Sequence, residues 1–232
     1  GTVGGGASAV EVLLAIQQHL NSLSKLSANA LPEIEYHIVS GAEQVLGSHN
    51  KKVQQQYSAL LNQRGVTVHH QFRVTQIERS KDLSNPEAKQ LQSESGQLLE
   101  LDEVIWTTAA KPAHWPAKAG LSCSNQGFIT VKDTLQTLSH SNIFASGDVA
   151  DMVNHPRPKA GVFAVRQGPP LAENILLALQ NKPLKPFKPQ QKFLSLVSTG
   201  DKYAVASRGR WALSGEWVWR WKNHIDQTFM TA

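Results

Sequence analysis

Two stretches hold residues whose types and spacing could do chemistry. Near the start, residues 3–16 read VGGGASAVEVLLAI, a glycine turn that opens a helical period. Gly4 permits the tight turn, Gly6 lets the backbone approach a pyrophosphate, and Ala9 leaves room for close packing of helix on sheet. A diphosphate seated there meets free N–H groups and the positive end of a helix dipole. Much later, residues 143–168 read IFASGDVADMVNHPRPKAGVFAVRQG. The run Ile143-Phe144-Ala145 has the length and composition of a buried strand and breaks at Ser146-Gly147-Asp148, which holds a carboxylate at the strand end. Sheets of the α/β kind bind ligands at such ends. Asp148 can accept from sugar-type hydroxyls, and Gly147 removes the Cβ that would keep a flat or phosphorylated ligand at a distance. Lys159-Ala160-Gly161 then opens a second helical run, whose free N–H groups suit an electron-rich ligand edge.

These residues carry a resemblance. SGDVAD followed by PKAGVFAVRQGPPLAENI resembles the second flavin motif of the pyridine nucleotide-disulfide oxidoreductase superfamily, the two-dinucleotide flavoproteins that include type II NADH dehydrogenases and sulfide:quinone reductases. The nearest likeness is to NADH-dehydrogenase-like flavoproteins that some organisms carry fused to selenide, water dikinase. It runs over nearly the whole chain, to the tail EWVWRWKNHIDQTFM. The resemblance implies FAD and NAD(P)H as cofactors, with hydride passing from nicotinamide to flavin and electrons leaving to an unidentified acceptor.

It also implies roles for single residues. Asp148 would bind the ribityl chain, and Lys159, Ala160 and Gly161 would face the isoalloxazine. Glu11, the last residue of Gly-x-Gly-x-x-Ala-x-Glu, would lie near nicotinamide and flavin and orient the carboxamide. Ser40 falls where NAD enzymes keep an acid for the ribose 2′-OH, and Glu43, Lys51 and Lys52 follow closely; the reading leans to NAD(H). Thr108-Ala109 stands where relatives carry an Ala-Thr-Gly type sequence at the crossing between domains. Type II NADH dehydrogenases keep a Gln-rich sequence before the residue matching Gly168. Here Gln167 matches, Arg166 replaces one Gln, and Val162 falls where another is expected. Arg166 is therefore a candidate for binding an anionic acceptor or stabilising reduced flavin electrostatically.

The elements that must position these residues follow an α/β order. A Rossmann-like nucleotide domain is expected over residues 1–111, the C-terminal half of a flavin domain over 112–188, and an α+β interface segment over 189–232. Only Thr2-Val3 precede the glycine turn, so the chain reads as the C-terminal part of a longer flavoprotein, without the first flavin motif and expected to bind FAD poorly or not at all by itself. The first helix is expected to end by Asn29, near Ser27 and Pro32, and a second strand to cover 33–39. Val53, Tyr57, Leu60 and Leu61 mark one face of a helix over 51–64. Residues 65–78 alternate as one strand running into a bend. Residues 81–96 read as a solvated hairpin or loop, 98–106 as a return to the sheet, and 128–131 as a strand. Trp115 is expected to pack. Strands are expected at 193–197 and 203–207, then a helix from about Gly215. On it Leu213, Trp217, Trp221, Ile225 and Phe229 form a stripe, with Trp219, Arg220 and Lys222 turned away. That stripe could dock on the core, bind a partner or a second copy, or lie on a membrane surface.

Composition narrows the classes. With 23 basic and 18 acidic residues the net charge is +5, which favours anionic dinucleotides or lipids. No nucleic-acid motif is present. The single cysteine, Cys123, rules out an internal disulfide and the redox-active Cys pair of the disulfide reductases. His69-His70 lack partners at metal-ligand spacing. No apolar run approaches the roughly 20 residues of a membrane span, and a cytoplasmic protein is the expectation, with peripheral membrane contact left open. Beside the oxidoreductase, two classes stay open: a partner-binding module associated with selenide, water dikinase, and a sensor of NAD(H) without turnover.

Overall fold

The computed structural model describes residues 1–26, 33–80, 85–191 and 193–231, with backbone alone at Phe229. The chain folds as two compact units, Gly1–Thr108 with Leu194–Ala232, and Ala109–Phe193.

The first unit begins with β1 (Thr2–Val3), α1 (Ala7–Leu26), β2 (Tyr36–Val39), α2 (Lys51–Gln63) and β3 (Val66–His69). It continues with β4 (Val74–Arg79), β5 (Lys89–Ser93), β6 (Leu98–Leu101) and β7 (Ile105–Trp106). A parallel sheet runs β3-β2-β1-β7, so β1 has neighbours on both sides and its carboxyl end is the switch point of the sheet. On α1, Ala9, Val10, Leu13, Leu14 and Gln17 recur at helical spacing and are buried. The N-cap of α2 is Asn50, whose Oδ1 accepts the Val53 N–H at 3.1 Å. Its buried face is Val53, Tyr57 and Leu61, as the periodicity indicated.

Three strand expectations are corrected. The second strand starts at Tyr36, where pairing with Val66 begins, because residues 33–35 are exposed. Residues 65–78 form two strands, since Gln71 takes a left-handed backbone (φ 53°) and the chain leaves the parallel sheet for an antiparallel one, β4-β5-β6. Residues 98–106 likewise divide between the two sheets. The polar stretch before Gly96 includes β5, which Leu91 anchors in the core. The expected helix end near Asn29 and the start of the polar stretch at Lys81 lie outside the described residues.

The second unit holds α3 (Trp115–Lys118), β8 (Ile129–Val131), a 3-10 turn at Gly147–Val149, β9 (Ala150–Met152) and α4 (Gly161–Leu179). Residues 143–145 are not a strand. Phe144 makes a single bridge to Gln136, and the strand comes after Asp148, as β9 paired parallel to β8. Ala145 still joins a core of Leu121, Ile129, Val131, Leu135, Ala150 and Met152, so its apolar character reports burial without strand pairing. Trp115 is 61% exposed and does not pack. The segment after α4 is clasped by Asn174, which donates to Thr134 O at 3.0 Å and Lys185 O at 2.9 Å and accepts the Lys185 N–H at 2.8 Å.

The chain then rejoins the first unit as β10 (Ser195–Ser198), β11 (Ala204–Arg208), β12 (Trp211–Gly215) and α5 (Glu216–Met230). The three strands form an antiparallel meander whose last member the sequence pattern did not mark. Polar ties fasten it to α2 and its cap. Tyr57 donates its hydroxyl to Val197 O at 2.7 Å, Arg64 donates to Thr199 O at 2.7 Å and pairs with Asp201, and Asn50 reaches Gly209 O and Trp211 O. Of the three placements open to the α5 stripe, docking on the core is not the one found, and Trp219, expected to turn away, packs there instead. Val218 is buried on Ala204 and Ala206 with Trp219 beside it, while Trp217, Trp221 and Ile225 are 53%, 41% and 41% exposed. The small residues on β11 accept a valine closely, and that choice turns the tryptophan stripe outward.

Candidate functional site

At the switch point, the glycine turn has the tightness its residues suggested. Gly4 sits at φ +145° and donates to Val39 O at 2.9 Å. A Cβ there would fall 2.7 Å from both the carbonyl and the hydroxyl oxygen of Thr107. Thr107, whose hydroxyl donates to Val3 O at 3.0 Å, is a wall of the turn that sequence reading passed over for its neighbours Thr108 and Ala109. A Cβ on Gly6 would meet nothing within 4 Å, so this glycine faces open space at the start of α1. Ala9 is fully buried, as close helix-to-sheet packing requires.

Glu11 is partly buried against the returning chain. Its Oε1 accepts the Ser198 N–H at 2.7 Å and lies 3.7 Å from Lys222 Nζ, which in turn meets Asp226 at 2.9 Å. Burial pushes the Glu11 carboxyl up, with Ser198 and Lys222 opposing. Burial alone would lower the Lys222 ammonium, but its bonds and charge attraction to Asp226 and Glu11 outweigh that and raise it. Ser40 is 1% exposed; its hydroxyl accepts the Ala42 N–H at 3.2 Å and lies where a Cβ on Gly5 would have to go.

Beside Ser40, His69 accepts the Ser40 N–H through its carbonyl at 2.9 Å, and its Nε2 lies 3.1 Å from His37 Nδ1. Adjacent strands bring these rings together, a contact that inspection of His69-His70 alone could not reveal. Burial, then the charges of His37 and His70, lowers the His69 pKa, and burial lowers that of His49. A depressed folded-state value means that the folded chain disfavours the proton. The stability these two neutral rings give is therefore complete above the ordinary value of 6.5 and is lost as pH falls through their lower folded values. Urea midpoints measured from about pH 7 down to about pH 5 should fall. A His49→Gln, His69→Gln double variant should show a flatter decline.

In the second unit, Gly147, Asp148, Asp151, Arg157, Lys159 and Ala160 line one crevice at the start of α4. Gly147 has φ +69°, a left-handed turn that presents the exposed carboxylate of Asp148. Ala160 caps α4 without a side-chain bond, and the Phe163 and Ala164 N–H groups return to its carbonyl. Among the described residues the N–H groups of Gly161 and Val162 meet no acceptor, and as the first two of the helix they suit an external one. Gln167 is 3% exposed; its Oε1 accepts the Gly147 N–H at 2.6 Å and its amide lies 3.7 Å from Met152 Sδ. It shapes the turn from inside, whereas Arg166 is exposed.

Lys159 is held by Ala150 O at 2.7 Å, by Asp151 at 2.5 Å, and by the Phe128 ring 4.0 Å away. Asp151 also accepts from Ser124 at 2.6 Å. Burial would raise the Asp151 carboxyl, yet Lys159 and Ser124 hold it below the usual range. Neither Asp151 nor Arg157 was singled out by the sequence. Arg157 donates to His155 O at 2.9 Å and stacks over Phe163 at 5.1 Å, and its Nη1 is buried without a hydrogen-bond partner among the described residues. Cys123 is partly exposed, its Sγ 3.5 Å from Leu121 O.

Residues 2–168 match the pyridine nucleotide-disulphide oxidoreductase family. The chain belongs to that family. Its fold is α/β, and the family's cofactors are FAD and NAD(P)H. The chain is 25% identical over 214 residues to a type II NADH:quinone oxidoreductase of Haemophilus influenzae, covering 88% of this chain and 45% of that one. It is 27% identical over 192 residues to ferroptosis suppressor protein 1 of Taeniopygia guttata, covering 81% and 47%. Among solved structures, the sulfide:quinone oxidoreductase of Aquifex aeolicus superposes with TM-score 0.71 at 16% identity, over 99% of this chain and 57% of that one. The chain thus spans about half the length of the curated relatives it matches.

The residues present fit the family's cofactors. The open face of Gly6 at a helix start suits a pyrophosphate, and among the described residues no atom comes within 4 Å of where its Cβ would stand. In the second unit the exposed Asp148 carboxylate, the uncapped start of α4 and the orphaned Arg157 Nη1 together supply one acceptor and several donors, the set that a polyol chain and an electron-rich ring edge need. Among the described residues, no helix is long and apolar enough to cross a membrane.

Proposed function

We propose that this chain supplies the nicotinamide-nucleotide site and one flavin crevice of an FAD-dependent NAD(P)H oxidoreductase. The observation that carries the reading is the crevice of Gly147, Asp148, Lys159 and Ala160, in which a carboxylate meets an open helix start in a member of this family. Bound FAD would accept a hydride from nicotinamide and pass electrons to an acceptor, a chemistry that belongs to the cofactor. The chain's own residues bind and orient. Gly4 and Gly6 shape the turn for the pyrophosphate, with Ala9 packing α1 beneath it; Glu11 is the candidate for the carboxamide. Asp148 accepts from polyol hydroxyls, and the Gly161 and Val162 N–H groups face the ring edge. Lys159, neutralised by Asp151, acts through the shape of the wall, and Gln167 positions Gly147. Arg166, exposed and cationic, is the candidate contact for an anionic acceptor.

The test is anaerobic addition of NADH to the whole flavoprotein. Bleaching of the visible flavin band is expected, and Asp148→Ala should weaken FAD retention by about tenfold, the size of one or two lost hydrogen bonds. NADH binding with an unbleached flavin would instead support the sensor.

Exposure of Trp217, Trp221 and Ile225 supports a second reading, in which α5 binds a partner, a second copy or a surface in addition to the redox role. Association with a selenide, water dikinase rests on the sequence resemblance. A pull-down against that kinase should lose its signal in the Trp217→Ala, Trp221→Ala variant, and equal capture by both proteins would remove α5 from the interaction.

A further inference from the structure

The position after β2, where the adenosine ribose of a dinucleotide is read, holds no free carboxylate. Ser40 occupies it, and its hydroxyl is turned inward onto the Ala42 N–H and against Gly5. An inward hydroxyl neither grips a ribose 2′-OH nor repels a 2′-phosphate. The neighbouring loop supplies a cation instead. Phe72 N–H donates to Ser40 O at 2.8 Å, Gln71 N–H to Ala42 O at 3.0 Å, and Ser40 N–H to His69 O at 2.9 Å, so residues 69–72 are laced to 40–42. Arg73 follows directly, and its stem lies on Gly41. A Cβ on Gly41 would come 3.3 Å from Arg73 Cα and Cβ and 3.6 Å from its Cγ. Gly41 is thus small because Arg73 crosses it. The Arg73 side chain is 69% exposed, and its Nε lies 3.7 Å from Glu94, itself 73% exposed, a loose pair that an arriving anion can displace. Glu43, exposed on the loop after β2, is the other acidic group close to Ser40 in sequence.

We propose that Arg73 binds the 2′-phosphate of NADPH and makes this chain select the phosphorylated dinucleotide, in place of the NAD(H) preference expected from Ser40. The proposal rests on the dinucleotide site assigned above. A guanidinium forks onto phosphate oxygens with charge-assisted bonds that NADH cannot make. Binding to the 232-residue chain can be read by energy transfer from its six tryptophans to reduced nicotinamide. NADPH should bind about tenfold more tightly than NADH, as one charge-assisted contact implies. Arg73→Ala should equalise the two by weakening NADPH alone, Arg73→Lys should keep part of the preference, and Glu94→Gln should raise it by freeing the guanidinium. Added salt should weaken NADPH more than NADH. Equal affinities in the native chain, with the ratio unmoved in Arg73→Ala, overturn the role of Arg73 and leave the dinucleotide site standing. Binding of neither nucleotide to the native chain overturns both.

Discussion

Replacing Gly4 with alanine is expected to abolish nicotinamide-nucleotide binding and to lower the unfolding free energy by about 2–4 kcal/mol. Two independent costs combine. At φ +145° an L side chain is strained whatever the space around it, and the new methyl would lie 2.7 Å from two Thr107 oxygens. Those oxygens cannot retreat easily. Thr107 is tied to β1 twice, by its N–H to Val3 O at 2.9 Å and its hydroxyl to the same oxygen at 3.0 Å. The turn must therefore shift, and with it the start of α1 that would meet the pyrophosphate. Gly6→Ala is the matched control. Its methyl meets no protein atom within 4 Å, so stability should stay within about 0.5 kcal/mol while nucleotide binding falls, because the methyl fills the ligand's space. Urea denaturation and nucleotide titration of both variants separate the effects. Wild-type stability in Gly4→Ala would refute the close contact, and unchanged binding in Gly6→Ala would place the pyrophosphate elsewhere.

Tyr57→Ala is expected to cost about 4 kcal/mol and to release the C-terminal meander from α2. The ring is fully buried among Leu14, Val53, Leu61, Val197 and Val205, and its hydroxyl donates to Val197 O at 2.7 Å. Truncation leaves a large cavity and removes the hydroxyl that bonds Val197 O on β10. Tyr57→Phe removes the hydrogen bond alone and should cost about 1 kcal/mol. The consequence reaches the candidate site, because Ser198, next to Val197, donates to Glu11. Hydrogen exchange should show faster exchange across residues 195–215 in Tyr57→Ala, with β1 to β3 less affected. Uniform loss of protection over the whole chain would instead mean that the meander and the parallel sheet unfold together.

Much of the site was legible because close backbone approach leaves a residue signature. Gly4 and Ala9 could be read from type and spacing alone, since a tight turn and a helix lying flat on a sheet exclude larger side chains. The face of α2 was equally legible, its burial following a helical period. Docking of the tryptophan stripe on the core, one of its three expected placements, does not occur, for a physical reason. Periodicity shows that residues share a face but not which neighbour the face meets, and the small residues of β11 took Val218 instead. Residues 143–145 were misread as a strand because an apolar run reports burial, and burial does not require a pairing partner.

By itself the sequence determined the glycine turn at Gly4, the α/β order, and the pairing of a carboxylate at Asp148 with a helix start at Gly161. Each is local, set by backbone sterics within a few residues. The tertiary structure alone decided what meets across long separations. It brought Thr107 against Gly4, Ser198 and Lys222 to Glu11, Asp151 onto Lys159, and Arg73 over Gly41. These contacts depend on which strands pair and where the chain re-enters its first unit, and no spacing along the chain records that.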